Sequence, residues 1–158
     1  MRIIVISDTH RNFDAMYKIF ERNKDADLFI FLGDGERELE DVKMLYPDKK
    51  VLSVSGNCDF ASDSPYVSMT MQRGKKIIFL HGHTHGVKGG PGGVVGLARE
   101  NKADIVLFGH THQRYFSYED GLYVLNPGSA GQPRDGKRPS YAFIDITDAG
   151  IVCNHVDV

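Results

Sequence analysis

The sequence predicts an α/β protein in which two mixed β-sheets pack face to face with helices on the outside. Three observations lead there. Five short apolar runs end abruptly in polar residues, the signature of strands buried on both faces. The stretches between the first three runs carry apolar residues at helical spacing, and strand-helix-strand alternation builds a parallel sheet. The end of the chain alternates apolar and polar residues between turn signals, which adds antiparallel strands.

The first run is Ile3-Ile4-Val5-Ile6, stopped by Ser7-Asp8-Thr9-His10. Asn12 then caps a helix in which Phe13, Met16, Ile19 and Phe20 share a face, ending near Asn23. Leu28-Phe29-Ile30-Phe31-Leu32 is the second strand, and it ends in Gly33-Asp34. A second helix from about Glu36 aligns Leu39, Val42 and Leu45 and must stop by Tyr46, ahead of Pro47. Val51-Leu52-Ser53-Val54 leads to Ser55-Gly56-Asn57-Cys58-Asp59. Residues 66–71 alternate, Arg73-Gly74 turns, and residues 76–80 form the returning strand of a hairpin that ends in His81-Gly82. Residues 86–96, with Gly-Gly-Pro-Gly-Gly at 89–93, read as a mobile loop beside the site, leading into a helix that runs to about Asn101. They lack the Gly-Lys-Ser or Gly-Lys-Thr ending of a phosphate loop. The strand Ile105-Val106-Leu107-Phe108 ends in Gly109-His110-Thr111-His112. Strands at 115–118, 122–125, 141–146 and 151–156 follow, joined by turns at Glu119-Asp120-Gly121 and Asp148-Ala149-Gly150.

At 158 residues the chain is read as a single domain spanning 1–158, long enough to bury roughly two thirds of its unfolded surface. Its 41% hydrophobic and 25% charged content places it among globular rather than disordered proteins. No apolar run reaches the ~20 residues of a membrane span, and the N-terminus lacks a signal-peptide pattern. A cytoplasmic protein without a membrane partner is expected. A net charge of -2 argues against a bulk electrostatic hold on nucleic acid. Cys58 and Cys153 do not make a disulfide framework.

Five apolar strands ending in Asp, His or Asn are expected to converge on one rim of a sheet, where open α/β proteins place their sites. Asp8 and His10 stand two apart, so an extended backbone would point both at one cation. Gly82-His83-Thr84-His85 copies Gly109-His110-Thr111-His112, so spacing alone also nominates His83 and His85 as ligands. His81 is preferred because it directly follows the apolar run; His83 and His85 are left as supporting or substrate contacts. His155, in the last strand, reads as a satisfied core or surface group.

Asp8-x-His10, Gly33-Asp34, Gly56-Asn57-x-Asp59, His81-Gly82 and Gly109-His110-Thr111-His112, in this order after apolar strands, resemble the calcineurin-like metallophosphoesterase family. The likeness is greatest to its small single-domain bacterial and archaeal phosphodiesterases and extends to Asn126-Pro127-Gly128-Ser129. It implies a four-layer αββα sandwich, a dinuclear metal centre and hydrolysis of a phosphodiester by a metal-bridging hydroxide. It also implies ligand roles: Asp8, His10 and His112 on one metal, Asn57, His81 and His110 on the other, and Asp34 bridging. Only two of these ligands are anionic, so two divalent ions keep a net positive charge that attracts phosphate and acidifies water; an Asp at 57 should blunt this. Mixed nitrogen and oxygen donors suit Mn, Fe, Co, Ni or Zn, with Mn the first expectation.

Arg134, after the Asn-Pro-Gly-Ser turn, is the candidate cation for the charge that develops on the phosphoryl group, and His83 a candidate substrate contact. In many family members the residue after the metal-binding Asn is a His that works with the next acid to protonate the leaving group. Here it is Cys58, followed by Asp59, and a thiol is the poorer donor. Readings from two other function classes stand beside this one. One is a non-catalytic scaffold such as the retromer's small subunit, which has a degraded metal site. The other is a nuclease, which needs an extended basic groove and a steep salt dependence. Relatives of this size often self-associate, which makes a homodimer the expected assembly, with no residue assigned to its interface.

Overall fold

A computed structural model describes residues 1–60 and 62–158. Among the described residues, ten strands and three α-helices follow the apolar pattern. They are β1 (Arg2–Ile6), α1 (Phe13–Arg22), β2 (Leu28–Phe31), α2 (Glu36–Leu45), β3 (Val51–Ser53), β4 (Val67–Gln72), β5 (Lys75–Leu80), α3 (Gly92–Glu100), β6 (Ile105–Phe108), β7 (Arg114–Glu119), β8 (Leu122–Pro127), β9 (Ser140–Thr147) and β10 (Gly150–Asp157).

The strands form two five-stranded mixed sheets, ordered β10-β9-β1-β2-β3 and β4-β5-β6-β8-β7. In the first, β1, β2 and β3 are parallel while β9 runs antiparallel to β1, with Ile3 opposite Leu28 on one side and Ile144 on the other. In the second, β5, β6 and β8 are parallel and hairpins add β4 and β7 at the two edges. Alternate residues on each strand serve different layers. Ile3, Val5, Leu28 and Ile30 meet Ile77, Phe79, Ile105 and Leu107 between the sheets. Ile4, Ile6, Phe29 and Phe31 face outward against Met16, Ile19 and Phe20 of α1 and Leu39 and Val42 of α2. Ile78, Leu80 and Val106 pack against Val94 and Ala98 of α3. The order of layers is therefore helix, sheet, sheet, helix, the αββα sandwich.

Two expectations need correction. The polar strand ends do not line the rim of one sheet: β1, β2 and β3 belong to the first sheet, β5 and β6 to the second. The central strands of both sheets are buried on both faces, so an apolar run carries no mark of which sheet it joins. The segment at 86–96 is also less of a loop than its glycines suggest. Two 3-10 turns, His83–His85 and Val87–Gly89, come first, and α3 begins at Gly92. The complete burial of Val94 and Ala98 against the second sheet outweighs the poor helix propensity of Gly92, Gly93 and Gly96.

Candidate metal centre

Two clusters of donor atoms meet where the strand ends of the two sheets face each other. In the first, His10 Nε2 lies 3.0 Å from His112 Nε2, His112 Nε2 lies 3.2 Å from Asp8 Oδ1, and His10 Nε2 lies 3.7 Å from both Asp8 Oδ1 and Asp34 Oδ2. In the second, His81 Nε2 stands 3.1 Å from Asn57 Oδ1, 3.2 Å from His110 Nδ1 and 3.4 Å from Asp34 Oδ2. Asp34 Oδ2 is common to both.

The hydrogen bonds around the clusters fix which atoms face inward. His81 Nδ1 donates to the Leu32 carbonyl at 2.8 Å and His112 Nδ1 to the Gln132 carbonyl at 2.6 Å. A carbonyl only accepts, so in each neutral ring the lone pair is on Nε2 and points into the cluster. Asp8 is held by Ser7 Oγ and by the His110 N–H, both on Oδ2. Its other oxygen, Oδ1, is buried without a hydrogen-bond partner among the described residues. Lone pairs brought to within 3.0–3.7 Å of one another repel unless a proton or a cation lies between them. Metal–donor bonds of about 2.1 Å at octahedral or tetrahedral angles separate neighbouring donors by about 3.0–3.4 Å, so this set fits a pair of divalent ions.

The charges respond to this crowding. Burial works against ionisation of Asp8, but the adjoining His10 and His112 imidazoles, with Ser7, outweigh it and hold the carboxyl well below its ordinary range. Asp34 behaves likewise, burial being offset by His81 and the Cys58 N–H. The neighbouring Asp8 carboxylate raises His10, and although burial lowers His81, Asp34 and Asp8 outweigh it and raise that ring too. His110 goes the other way, to about 4, because burial and the nearby His81 and Lys88 disfavour its cation.

The local backbone differs from the sequence expectation. Asp8 and His10 are not extended: both have left-handed φ angles, 56° and 46°. Their side chains meet because the chain coils after β1, with the Asp8 N–H donating to the Gly33 carbonyl and the His10 N–H to the Asp34 carbonyl. Asp59, expected as a catalytic group, is engaged with the backbone. Its carboxylate accepts four backbone N–H groups, from Asp34, Gly35, Glu36 and Gly56, at 2.7–3.0 Å. These bonds tie the Asp34 loop and the start of α2 to the Asn57 loop. Gly56 permits that approach, since a Cβ there would come within 2.1 Å of Asp34 Oδ1.

Cys58 is exposed, its N–H donates to Asp34 Oδ1 at 2.7 Å, and its thiol is within 4.8 Å of donor atoms of His10 and Asp34. Burial of the sulfur and the charge of Asp34 push the thiol up to about 11. Cys153 packs against the core between the sheets. The His83 ring lies 5.4 Å from His81 and edge-on to Tyr66, and its Nδ1 is buried without a partner among the described residues. The His85 ring meets the Thr84 hydroxyl at 2.9 Å. Arg134 lies outside both donor clusters, in a groove of about 410 Å³ that also contains Lys88 and Thr111. His155 is satisfied by the Asn126 carbonyl at 2.7 Å.

Several supporting residues have no chemistry-bearing signature in the sequence. Ser129 Oγ donates to the Asp8 carbonyl at 2.7 Å, and Asn126 Nδ2 donates to the Gly109 carbonyl and Thr111 Oγ1. The Asn-Pro-Gly-Ser turn thus braces the Asp8 and His110 loops from behind. Its position after a strand is visible in the sequence, but which loops it contacts is not.

A family model described as the calcineurin-like phosphoesterase superfamily domain matches residues 1–149. The probable metallophosphoesterase YsnB of Bacillus subtilis is 34% identical over 154 residues, covering 96% of this chain and 89% of that protein. The phosphodiesterase YfcE of Escherichia coli K12 is 25% identical over 170 residues, covering 92% and 88%. The crystal structure of a conserved protein of Streptococcus pneumoniae TIGR4, described as a predicted phosphoesterase, superposes with a TM-score of 0.86 at 30% identity, covering 99% of this chain and 88% of that one. In sequence, in sandwich architecture and in the ordered motifs at its strand ends, the chain belongs to the calcineurin-like phosphoesterase superfamily.

Proposed function

We propose that this chain is a phosphodiesterase that works with two divalent metal ions, one held by Asp8, His10 and His112, the other by Asn57, His81 and His110, with Asp34 shared. The observation that carries the reading is the pair of donor clusters joined at Asp34 Oδ2, with the orphaned Asp8 Oδ1 aimed into one of them. Bound there, the ions would supply positive charge for the phosphoryl oxygens and lower the pKa of an attacking water.

The chain's own groups supply the rest. His81 and His112, locked by backbone carbonyls, hold their donor atoms without rotamer search. Lys88 and Arg134 line a groove beside Thr111 and offer cations to a substrate phosphate or its ester arm. His83 presents a ring nitrogen beside His81 and His110. Proton donation is the weak link. A thiol at about 11 is a poor acid at neutral pH, and Asp59 is occupied by backbone N–H groups. The enzyme should therefore favour substrates whose leaving group needs little protonation, and diesters over monoesters. The scaffold reading is weaker, because all seven donor side chains are in place and converge.

The test is turnover of bis(p-nitrophenyl) phosphate and p-nitrophenyl phosphate by chelator-stripped protein with Mn, Fe, Co, Ni or Zn added back. Diester hydrolysis that needs added metal is expected, abolished in Asp34→Ala and His110→Ala and changed only modestly in Cys58→Ser. A monoester preference, or a Cys58 variant as inactive as the ligand variants, overturns it.

A further inference from the structure

A cleft of about 700 Å³ opens beside the first donor cluster, lined by His10 and Asp34 and also by Arg11, Arg37 and Phe60. That is the size of a small-molecule site and larger than one phosphoryl group needs. Besides Asp34, three acids line it, and each accepts hydrogen bonds from neighbouring groups. Glu36 accepts from the Ser62 and Ser64 hydroxyls, Glu38 from Thr9 Oγ1 and the Arg11 N–H, and Asp59 from four backbone N–H groups. The two arginines are different. Neither guanidinium takes part in an ion pair among the described residues. The Arg11 backbone is pinned in a left-handed conformation, φ 68°, by its bond to buried Glu38, and Arg37 stands in the first turn of α2.

Phe60 adds a second, independent feature. It is 94% exposed, and it borders both this cleft and a neighbouring one of about 530 Å³ that contains Asn57, Tyr66 and His83. An aromatic face left in water between two clefts at a metal centre is a stacking platform for a planar ring.

We propose that this cleft is a second-anion subsite. Arg11 and Arg37 bind a phosphate of the substrate other than the one cleaved, and Phe60 stacks on its base, so the preferred substrate is a nucleotide-type phosphodiester carrying an additional phosphate. Guanidinium forks suit this task because they meet phosphate oxygens in pairs. The assignment rests on the phosphodiesterase reading for its cleaved phosphate, but not for its binding signature.

Calorimetric titration of the manganese-loaded protein separates the two. Adenosine 3′,5′-bisphosphate should bind at least about tenfold more tightly than adenosine 5′-monophosphate. Arg11→Ala and Arg37→Glu should remove that difference while turnover of bis(p-nitrophenyl) phosphate stays within about twofold of the parent. Phe60→Ala should weaken adenosine 5′-monophosphate but leave ribose 5-phosphate unchanged. Equal affinity for the two nucleotides in the parent protein, or an undiminished difference in the folded arginine variants, overturns the subsite. Absence of aryl diester turnover in the parent protein overturns the phosphodiesterase reading instead, whatever the titration gives.

Discussion

Asp8, His10, Asp34, His110 and His112 all hold left-handed φ angles, between 46° and 68°. Such angles are uncommon away from glycine, least so for Asp, Asn and His, and cost of order 1–3 kcal/mol each unless the surroundings fix them. Here they are fixed by cross-loop hydrogen bonds, including Asp8 N–H to Gly33 and the four-fold grip of Asp59. Replacing Asp59 by Ala should thus lower metal affinity by about 10–100-fold, the usual effect of removing a support behind a ligand. Titration with Mn reads this, and an unchanged affinity would refute the positioning role. The histidines set a pH dependence. His10 and His81 have raised pKa values without metal, so they hold their protons to higher pH than a free imidazole and a cation has to compete with those protons. His110, at about 4, is already neutral. Metal affinity should be full above the raised values and fall as pH drops through them, with protons released on binding. Calorimetry in buffers of different ionisation enthalpy at pH 8 and pH 6 checks the sign.

Among the elements, α1 and the turn after β8 do different work. Asn12 caps α1 by accepting the Ala15 N–H at 3.0 Å, and Phe20 of this helix stacks on Phe29 of β2 with ring centroids 4.0 Å apart. Asn12→Ala should cost about 1 kcal/mol and Phe20→Ala about 3–5 kcal/mol in denaturant unfolding, because only the second opens a cavity in a closed layer. The turn after β8 acts on the site instead. Buried Asn126 bonds the Gly109 carbonyl, Thr111 Oγ1 and the Gly128 N–H, so Asn126→Ala should cost about 1–3 kcal/mol through the orphaned Gly109 carbonyl. It should also loosen the His110 loop and weaken metal binding, which Phe20→Ala should not do. Equal metal affinity in the two variants would argue against the bracing role.

For the molecule as a whole, the centre joins two sheets that are otherwise held by apolar packing. A cation that binds only the folded chain adds about 2.7 kcal/mol at a hundred times its Kd, so stripping metal should lower Tm and re-addition restore it. The same architecture explains what could be read in advance. Strand and helix limits fall within a residue or two of the apolar periodicity because that periodicity records the burial that forms them. The start of α3 was not legible, since glycine propensity and packing oppose each other there. The Asp59 clamp was not legible either, since an acid after Asn-Cys shows nothing of the four N–H groups that will surround it. The clearest case is Gly-His-Thr-His, which occurs twice. At 82–85 it makes a 3-10 turn, whereas at 109–112 both histidines take left-handed φ angles and face the donor clusters. Gly109 lies so close to the β1 loop that a Cβ would meet Ser7 Oγ at 2.0 Å, while Gly82 packs beside Val87. The sequence by itself determined the sandwich and which donors stand at strand ends, because burial periodicity is local. Which copy of the motif turns inward was decided only by tertiary structure, because it depends on contacts with segments about a hundred residues away.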